Sequence, residues 1–241
     1  MHPYFNIFGK VFPAYGVMCA LGIILALILC MFRAVRARLC PMRTLIIFTF
    51  SLTFGMAGAV FTHLIVTYSP SEILLFLKNG FLESGYAPGF VFYGGLIAGF
   101  LGACLSARIF RISLSLYAPH LLPALPLAHA FGRVGCFFAG CCHGIESSFG
   151  FLHPNGKILF PVQLLEAGIL LLITYALISA ARKGHRHLLR LYALFYAPAR
   201  FFLEFLRGDE IRGVFLLSTS QWISLLIVII SLMPVKSPRK G

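Results

Sequence analysis

Two arginines lie inside otherwise apolar sequence. Arg133 belongs to the run Gly132-Arg133-Val134-Gly135-Cys136-Phe137-Phe138-Ala139-Gly140-Cys141-Cys142-His143-Gly144. Arg200 opens the run Arg200-Phe201-Phe202-Leu203-Glu204-Phe205-Leu206-Arg207. An ionisable residue at the centre of a membrane helix costs about 2.5–3.5 kcal/mol on insertion scales, so its presence points first to function. Glycines around Arg133 allow close backbone approach and positive φ. An arginine beside them can fork onto a phosphate with two hydrogen bonds. The bland reading is a small-residue helix interface with Arg133 snorkelling to headgroups. Arg200, Glu204 and Arg207 sit at i, i+4 and i+7 on one helical face. They read either as an ion pair that lowers insertion cost or as a charged wall facing an aqueous or headgroup-filled cavity. Pro198 just before them favours irregular backbone near such a cavity.

Other polar groups are candidates of lower specificity. Gln163 and Glu166 share a face at the start of an apolar span, where a solvated helix end is the commoner meaning. Cys136, Cys141, Cys142 and His143 do not have the C-x-x-C spacing of structural zinc sites. Structural thiols, a disulfide from Cys136 to Cys141 or Cys142, a metal-binding cluster and a catalytic thiol all stay open. No metal and no cofactor are assigned. Tyr93, followed by Gly94 and Gly95, is either a polar group at a site or an aromatic-belt residue next to a small packing surface. His63 and His129 lie in apolar context and read as core or interface residues.

The elements that must hold these residues are membrane helices. Apolar residues are 59% of the 241 positions and charged ones 11%, about half the charged share of a soluble domain. A bilayer core roughly 30 Å thick needs about 20 apolar residues per helix. Spans are expected at 12–33, 44–68, 89–110, 118–139, 162–181, 190–206 and 215–233. The reading is a single all-α polytopic domain over 1–241 with about seven transmembrane helices. The N-terminus lacks a basic region ahead of its first apolar run, so that span is expected to stay in place.

The net charge is +13, yet it is dispersed through loops. No basic stripe or reader motif supports nucleic-acid binding. Lys and Arg divide thirteen to five between the two sides of the spans. By the positive-inside rule the N-terminus is outside and the C-terminus cytoplasmic. The loop from Cys141 to Phe160 and the Arg207–Arg212 segment then face outward.

Several segments resemble the prolipoprotein diacylglyceryl transferase family. Phe92-Tyr93-Gly94-Gly95-Leu96-Ile97-Ala98-Gly99 is similar to its Phe-His-Gly-Gly-Leu-Ile-Gly stretch. The run from Gly132 to Gly144 resembles the signature in which Gly-Arg is followed by Asn, a further Gly-Glu and a closing Gly. Phe160-Pro161-Val162-Gln163-Leu164-Leu165-Glu166-Ala167 is similar to Tyr-Pro-Ser-Gln-Leu-Tyr-Glu-Ala. Arg200 through Arg207 matches Arg-x-x-x-Glu-Phe-x-Arg. Ser218 through Ser224 resembles the Gln-containing start of the family's last helix, and Tyr15-Gly16-Val17-Met18 fits its first span. The segments occur in family order over nearly the whole chain.

The resemblance implies transfer of a diacylglyceryl group from phosphatidylglycerol to the lipobox cysteine thiol of a preprolipoprotein. It places the enzyme in the bacterial inner membrane, among membrane lipids. Carried over residue by residue, Arg133 and Arg200 would bind phosphate and Glu204 would orient Arg200. Gly144 would shape the headgroup site, and Tyr15 and Gln163 would line the cavity. Gly94, Gly95, Glu166 and Arg207 join the substrate-binding set. Three positions depart from the family pattern: Tyr93 replaces its histidine, Cys136 its signature asparagine and Cys141 its signature glutamate. Tyr93, Cys136 and Cys141 are therefore expected in the catalytic set with Arg133, Arg200 and Glu204. The alternatives are a phospholipid-headgroup enzyme of altered chemistry, and a non-catalytic lipid-binding or transport protein.

Overall fold

The computed structural model describes residues 3–7, 9–80, 89–153, 156–185, 187–208, 213–214 and 216–233. Strands Tyr4–Ile7 (β1) and Lys10–Pro13 (β2) form a hairpin ahead of helix Ala14–Arg36 (α1). Helices Pro41–Thr67 (α2), Pro70–Asn79 (α3), Phe92–Ile109 (α4), Leu114–Leu121 (α5) and Ala124–Ala139 (α6) follow. Strands Glu146–Leu152 (β3) and Ile158–Leu159 (β4) pair antiparallel before helices Val162–Arg182 (α7) and Leu188–Leu203 (α8). Strands Gly213–Val214 (β5) and Leu217–Ser218 (β6) lead into helix Thr219–Leu232 (α9).

The expected spans correspond to these helices with three differences. The stretch at 118–139 is divided at Pro123, which has no N–H to continue α5 and instead precedes the first turn of α6. The stretch at 190–206 leaves α-helical geometry at Leu203, and Glu204–Leu206 tighten into a 3-10 turn. Helix α3 was not expected. Its start is a capping box: Ser69 accepts from the Glu72 N–H, Glu72 accepts from the Ser69 N–H, and Pro70 fills the first turn.

Among the described residues five segments are long and apolar enough to cross a bilayer: Ala14–Arg36, Pro41–Thr67, Phe92–Ile109, Leu114–Ala139 and Val162–Arg182. Helices α8 and α9 hold 16 and 14 residues, about 24 and 21 Å at 1.5 Å per residue, short of a full hydrocarbon core. The chain is an all-α multi-pass membrane protein.

Its backbone forms two compact units, residues 1–30 with 119–241, and residues 31–118. In the first, α6 packs on α7, α7 on α8 and α8 on α9. Helix α7 buries Leu170, Ile173 and Leu177 on one face, while Leu172 and Tyr175 remain exposed. An apolar outer face of this kind meets lipid. In the second unit α2 and α4 approach along glycines. A Cβ on Gly94 would collide with the Thr62 side chain, and one on Gly95 would lie 3.1 Å from the Gly55 carbonyl oxygen. This is the close small-residue packing of membrane helices.

Candidate active site

The site is built within the first unit, on α6, α7, α8 and the loops that join them. It begins at the end of α6. Gly140 takes the left-handed conformation (φ 76°) and its N–H donates to the Phe137 carbonyl, while the Cys141 N–H donates to the Cys136 carbonyl at 3.2 Å. These two bonds are a Schellman cap. They turn the chain so that Cys141 folds back over Cys136. Cys142 is itself left-handed, at φ 56°, which a residue with a Cβ adopts only at a cost. The thiols of Cys136, Cys141 and Cys142 consequently lie within 4.8 Å of one another.

The loop is then locked from two sides. Gly144 N–H donates to the Phe160 carbonyl, Ile145 N–H to the Leu206 carbonyl, and Gly208 N–H to the His143 carbonyl. A Cβ on Gly144 would stand 2.5 Å from the Phe160 oxygen and 2.8 Å from the Leu206 oxygen. Only glycine passes between these backbones. Gln163, 1% exposed at the start of α7, donates from Nε2 to the Cys141 carbonyl at 2.8 Å. Tyr15 comes from α1: a Cβ on Gly135 would lie 3.2 Å from its ring.

Arg133 points from α6 to α7 and pairs with Glu166. The second Glu166 oxygen accepts from the Tyr196 hydroxyl of α8 at 2.9 Å. Glu166 is 2% exposed, so it is a buried, fully engaged carboxylate and not a solvated helix end. One turn along α8, Arg200 lies 2.7 Å from the Glu204 carboxylate and donates to the Ser220 hydroxyl of α9 at 3.2 Å. Arg207 approaches the same Glu204 oxygen, at 3.9 Å. The 3-10 turn places Arg207 beyond the helix, in extended backbone, but the one carboxylate oxygen still faces both arginines. Arg133 and Arg200 both act electrostatically on His129, Glu166 and Tyr196.

Among these five charged side chains, three arginines stand against two carboxylates. Two buried polar atoms, Arg133 Nε and Gln163 Oε1, have no hydrogen-bond partner among the described residues. Buried polar atoms are normally satisfied, so these mark where a ligand would dock. An anion with several oxygens suits the arginine edge. On the loop, hydrogen bonds from Cys136 and Cys141, and then the field of Arg133 and Arg207, hold the Cys142 thiol well below the ordinary thiol range.

Of the residues singled out from sequence, Tyr15, Arg133, Cys136, Cys141, Gly144, Gln163, Glu166, Arg200, Glu204 and Arg207 fall in this unit. Tyr93, Gly94 and Gly95 belong to the other, where the two glycines serve the α2–α4 contact and the Tyr93 ring meets Phe92 edge-on. Sequence reasoning missed Tyr196 and Ser220, and set His129 aside. Tyr196 could have been found as the residue four before Arg200 on the same helical face. His129 stacks edge-on against Tyr196 with ring centroids 5.4 Å apart, within the charged cluster.

A family model described as prolipoprotein diacylglyceryl transferase matches residues 3–235. The chain is 32% identical to the phosphatidylglycerol–prolipoprotein diacylglyceryl transferase 2 of Clostridium perfringens (strain 13 / Type A), over 93% of this chain and 90% of the relative. It is 30% identical to the corresponding transferase of Clostridium tetani, over 95% of this chain and 94% of the relative. The Listeria innocua transferase is 27% identical, over 90% and 82%.

Proposed function

We propose a mechanism from one premise: the chain belongs to the prolipoprotein diacylglyceryl transferase family. It transfers a diacylglyceryl group from phosphatidylglycerol to the lipobox cysteine thiol of a preprolipoprotein. The acceptor sulfur gives up its proton, which ends on the phosphate monoester that leaves or in solvent, and attacks the glyceryl carbon that bears the phosphate. A C–S bond forms, the C–O bond breaks, and the electron pair leaves with glycerol 1-phosphate. The catalytic demand is for cations that hold the phosphate as its charge rises.

Arg133 and Arg200 carry that role. The observation that supports it is the part-buried Arg133 guanidinium, paired with Glu166 and with an Nε that makes no hydrogen bond among the described residues. Glu204 orients Arg200, and Arg207 extends the positive edge toward the loop. Gly144 keeps the loop backbone close enough for the headgroup, with Gln163 and Tyr15 on the cavity wall. An apolar groove between α8 and α9, lined by Ala197, Phe201, Phe202 and Leu225 among others, suits an acyl chain. Tyr93 stays in the proposed catalytic set through its place in the segment that resembles the family's Phe-His-Gly-Gly stretch. A phenol is a poorer base than the imidazole it replaces, so the hydroxyl is assigned a hydrogen-bonding role.

The enzyme is placed in the inner membrane as a single polytopic domain of seven spans. Its N-terminus and the Cys141–Phe160 loop face outward, as the basic-residue bias indicates. The two short helices α8 and α9 complete the count beside the five longer ones.

Complementation tests this reading. A bacterium depleted of its own transferase receives wild type, Arg133→Ala or Tyr93→Phe, and lipoprotein mass is followed. Wild type should add the diacylglyceryl mass and Arg133→Ala should lose it. Tyr93→Phe should retain transfer at a reduced rate. No added mass despite membrane expression would move the protein to a phospholipid-headgroup reaction with another acceptor.

A further inference from the structure

The three clustered thiols are not needed by the mechanism above, and their geometry has its own meaning. Cys136, Cys141 and Cys142 bring three sulfurs within 4.8 Å of one another. In a zinc site with Zn–S near 2.3 Å, ligating sulfurs stand about 3.8 Å apart. A contraction of about an ångström would therefore seat one ion among them. The spacing in sequence conceals this, because adjacent cysteines and a five-residue separation are not a familiar ligand pattern. The Schellman cap at Gly140 and the left-handed Cys142 create the convergence.

The cluster is also built to stay. Cys141 is pinned through its carbonyl by buried Gln163, and the following residues are laced to Phe160 and to Leu206–Gly208. Cys136 is 9% exposed, whereas Cys141 is exposed. The sulfurs thus have a closed back and an open front. Arg133 and Arg207 act electrostatically on Cys142, and would balance the single negative charge of a divalent ion on three thiolates. Among the described residues no His, Asp or Glu joins the three sulfurs. A disulfide would use two thiols and strand the third.

We propose that Cys136, Cys141 and Cys142 form a three-sulfur site for a thiophilic cation, with Zn2+ as its probe and a fourth position open at the Cys141 side. Soft thiolates select such ions over Mg2+ or Ca2+. Three protein ligands with an open fourth place are the arrangement of reactive zinc sites, not of purely structural ones. The fourth donor would be solvent or an incoming sulfur. The inference stands on the thiol geometry and does not depend on the transfer reaction.

The test uses the full chain in detergent, reduced, stripped with a chelator and held without oxygen. Co2+ titration should saturate at one equivalent with an intense sulfur-to-cobalt band in the near ultraviolet, displaced by Zn2+. Cys136→Ser, Cys141→Ser and Cys142→Ser should each weaken Zn2+ binding more than about 100-fold, beyond the 10–100-fold that losing an outer-shell partner costs. Cys40→Ser should bind like wild type. Cobalt bound without the sulfur band, or equal affinity in all four variants, overturns the proposal. So does a disulfide joining Cys136 to Cys141 or Cys142, found by mass spectrometry in protein isolated without reductant or metal. If a variant fails to fold, the wild-type cobalt spectrum decides alone. Transfer to a lipobox peptide is assayed on the same preparations. Transfer without metal binding sinks this inference only; metal binding without transfer sinks only the transferase reading.

Discussion

Glu166 shows what a single residue does here. Its two oxygens serve two donors, Arg133 and the Tyr196 hydroxyl. Removing one partner of a buried pair costs about 3–5 kcal/mol, because the remaining charge loses its compensation. Removing both leaves only a cavity. Arg133→Ala should therefore lower the thermal midpoint in detergent more than Arg133→Ala combined with Glu166→Ala. Equal losses would mean that Glu166 does not lean on Arg133. Both changes should abolish transfer, so the stability comparison separates folding from catalysis. The residues at 163 and 166 lie one turn apart on α7, and each is committed to a different part of the site. Gln163 holds the cysteine loop and Glu166 holds the arginine.

At the scale of elements, glycines divide by their surroundings. Gly144 sits in a backbone ladder where a Cβ has no room. Gly168 lies exposed on α7 with nothing within 4 Å of an added Cβ. Gly144→Ala should collapse the loop, with transfer lost and the protein more readily cut by protease between α6 and α7. Gly168→Ala should leave transfer intact and stabilise the helix by up to about 1 kcal/mol, the propensity gap between the two residues, read as a raised melting temperature. If both behave alike, the ladder from His143 to Gly208 is not what shapes the site. The same reasoning explains why α8 ends where it does. The 3-10 turn at Glu204–Leu206 frees the Leu206 carbonyl to receive the Ile145 N–H.

At the scale of the whole molecule, charge placement makes the sharpest prediction. Alkaline phosphatase is active only outside the cytoplasmic membrane. Fused after Ser147 it should be active, and fused after Arg38 or Gly184 it should be inactive. The reverse pattern would turn the proposed site to the cytoplasm and remove it from secreted acceptors. Length argues at this scale too. Helices of 16 and 14 residues reach a bilayer's far side only with help from their flanking turns or from local thinning.

The sequence alone determined the chemistry at hand and the kind of element that carries it. Apolar runs set the helices, because hydrocarbon admits little else. Arginines and carboxylates inside those runs advertised themselves by their cost. The order of motifs named the family, and the comparison with relatives agreed. Partnerships were another matter. Arg133 with Glu166, Tyr196 with Glu166 and Arg200 with Ser220 join residues that are 33, 30 and 20 positions apart. Pattern within one helix cannot reveal a partner on another. The three thiols were near in sequence, yet their convergence depended on two left-handed residues whose backbone angles no spacing rule supplies. Only the tertiary structure decided that a cysteine-rich loop becomes one cluster, because only there do the cap, the glycine ladder and the buried glutamine act together.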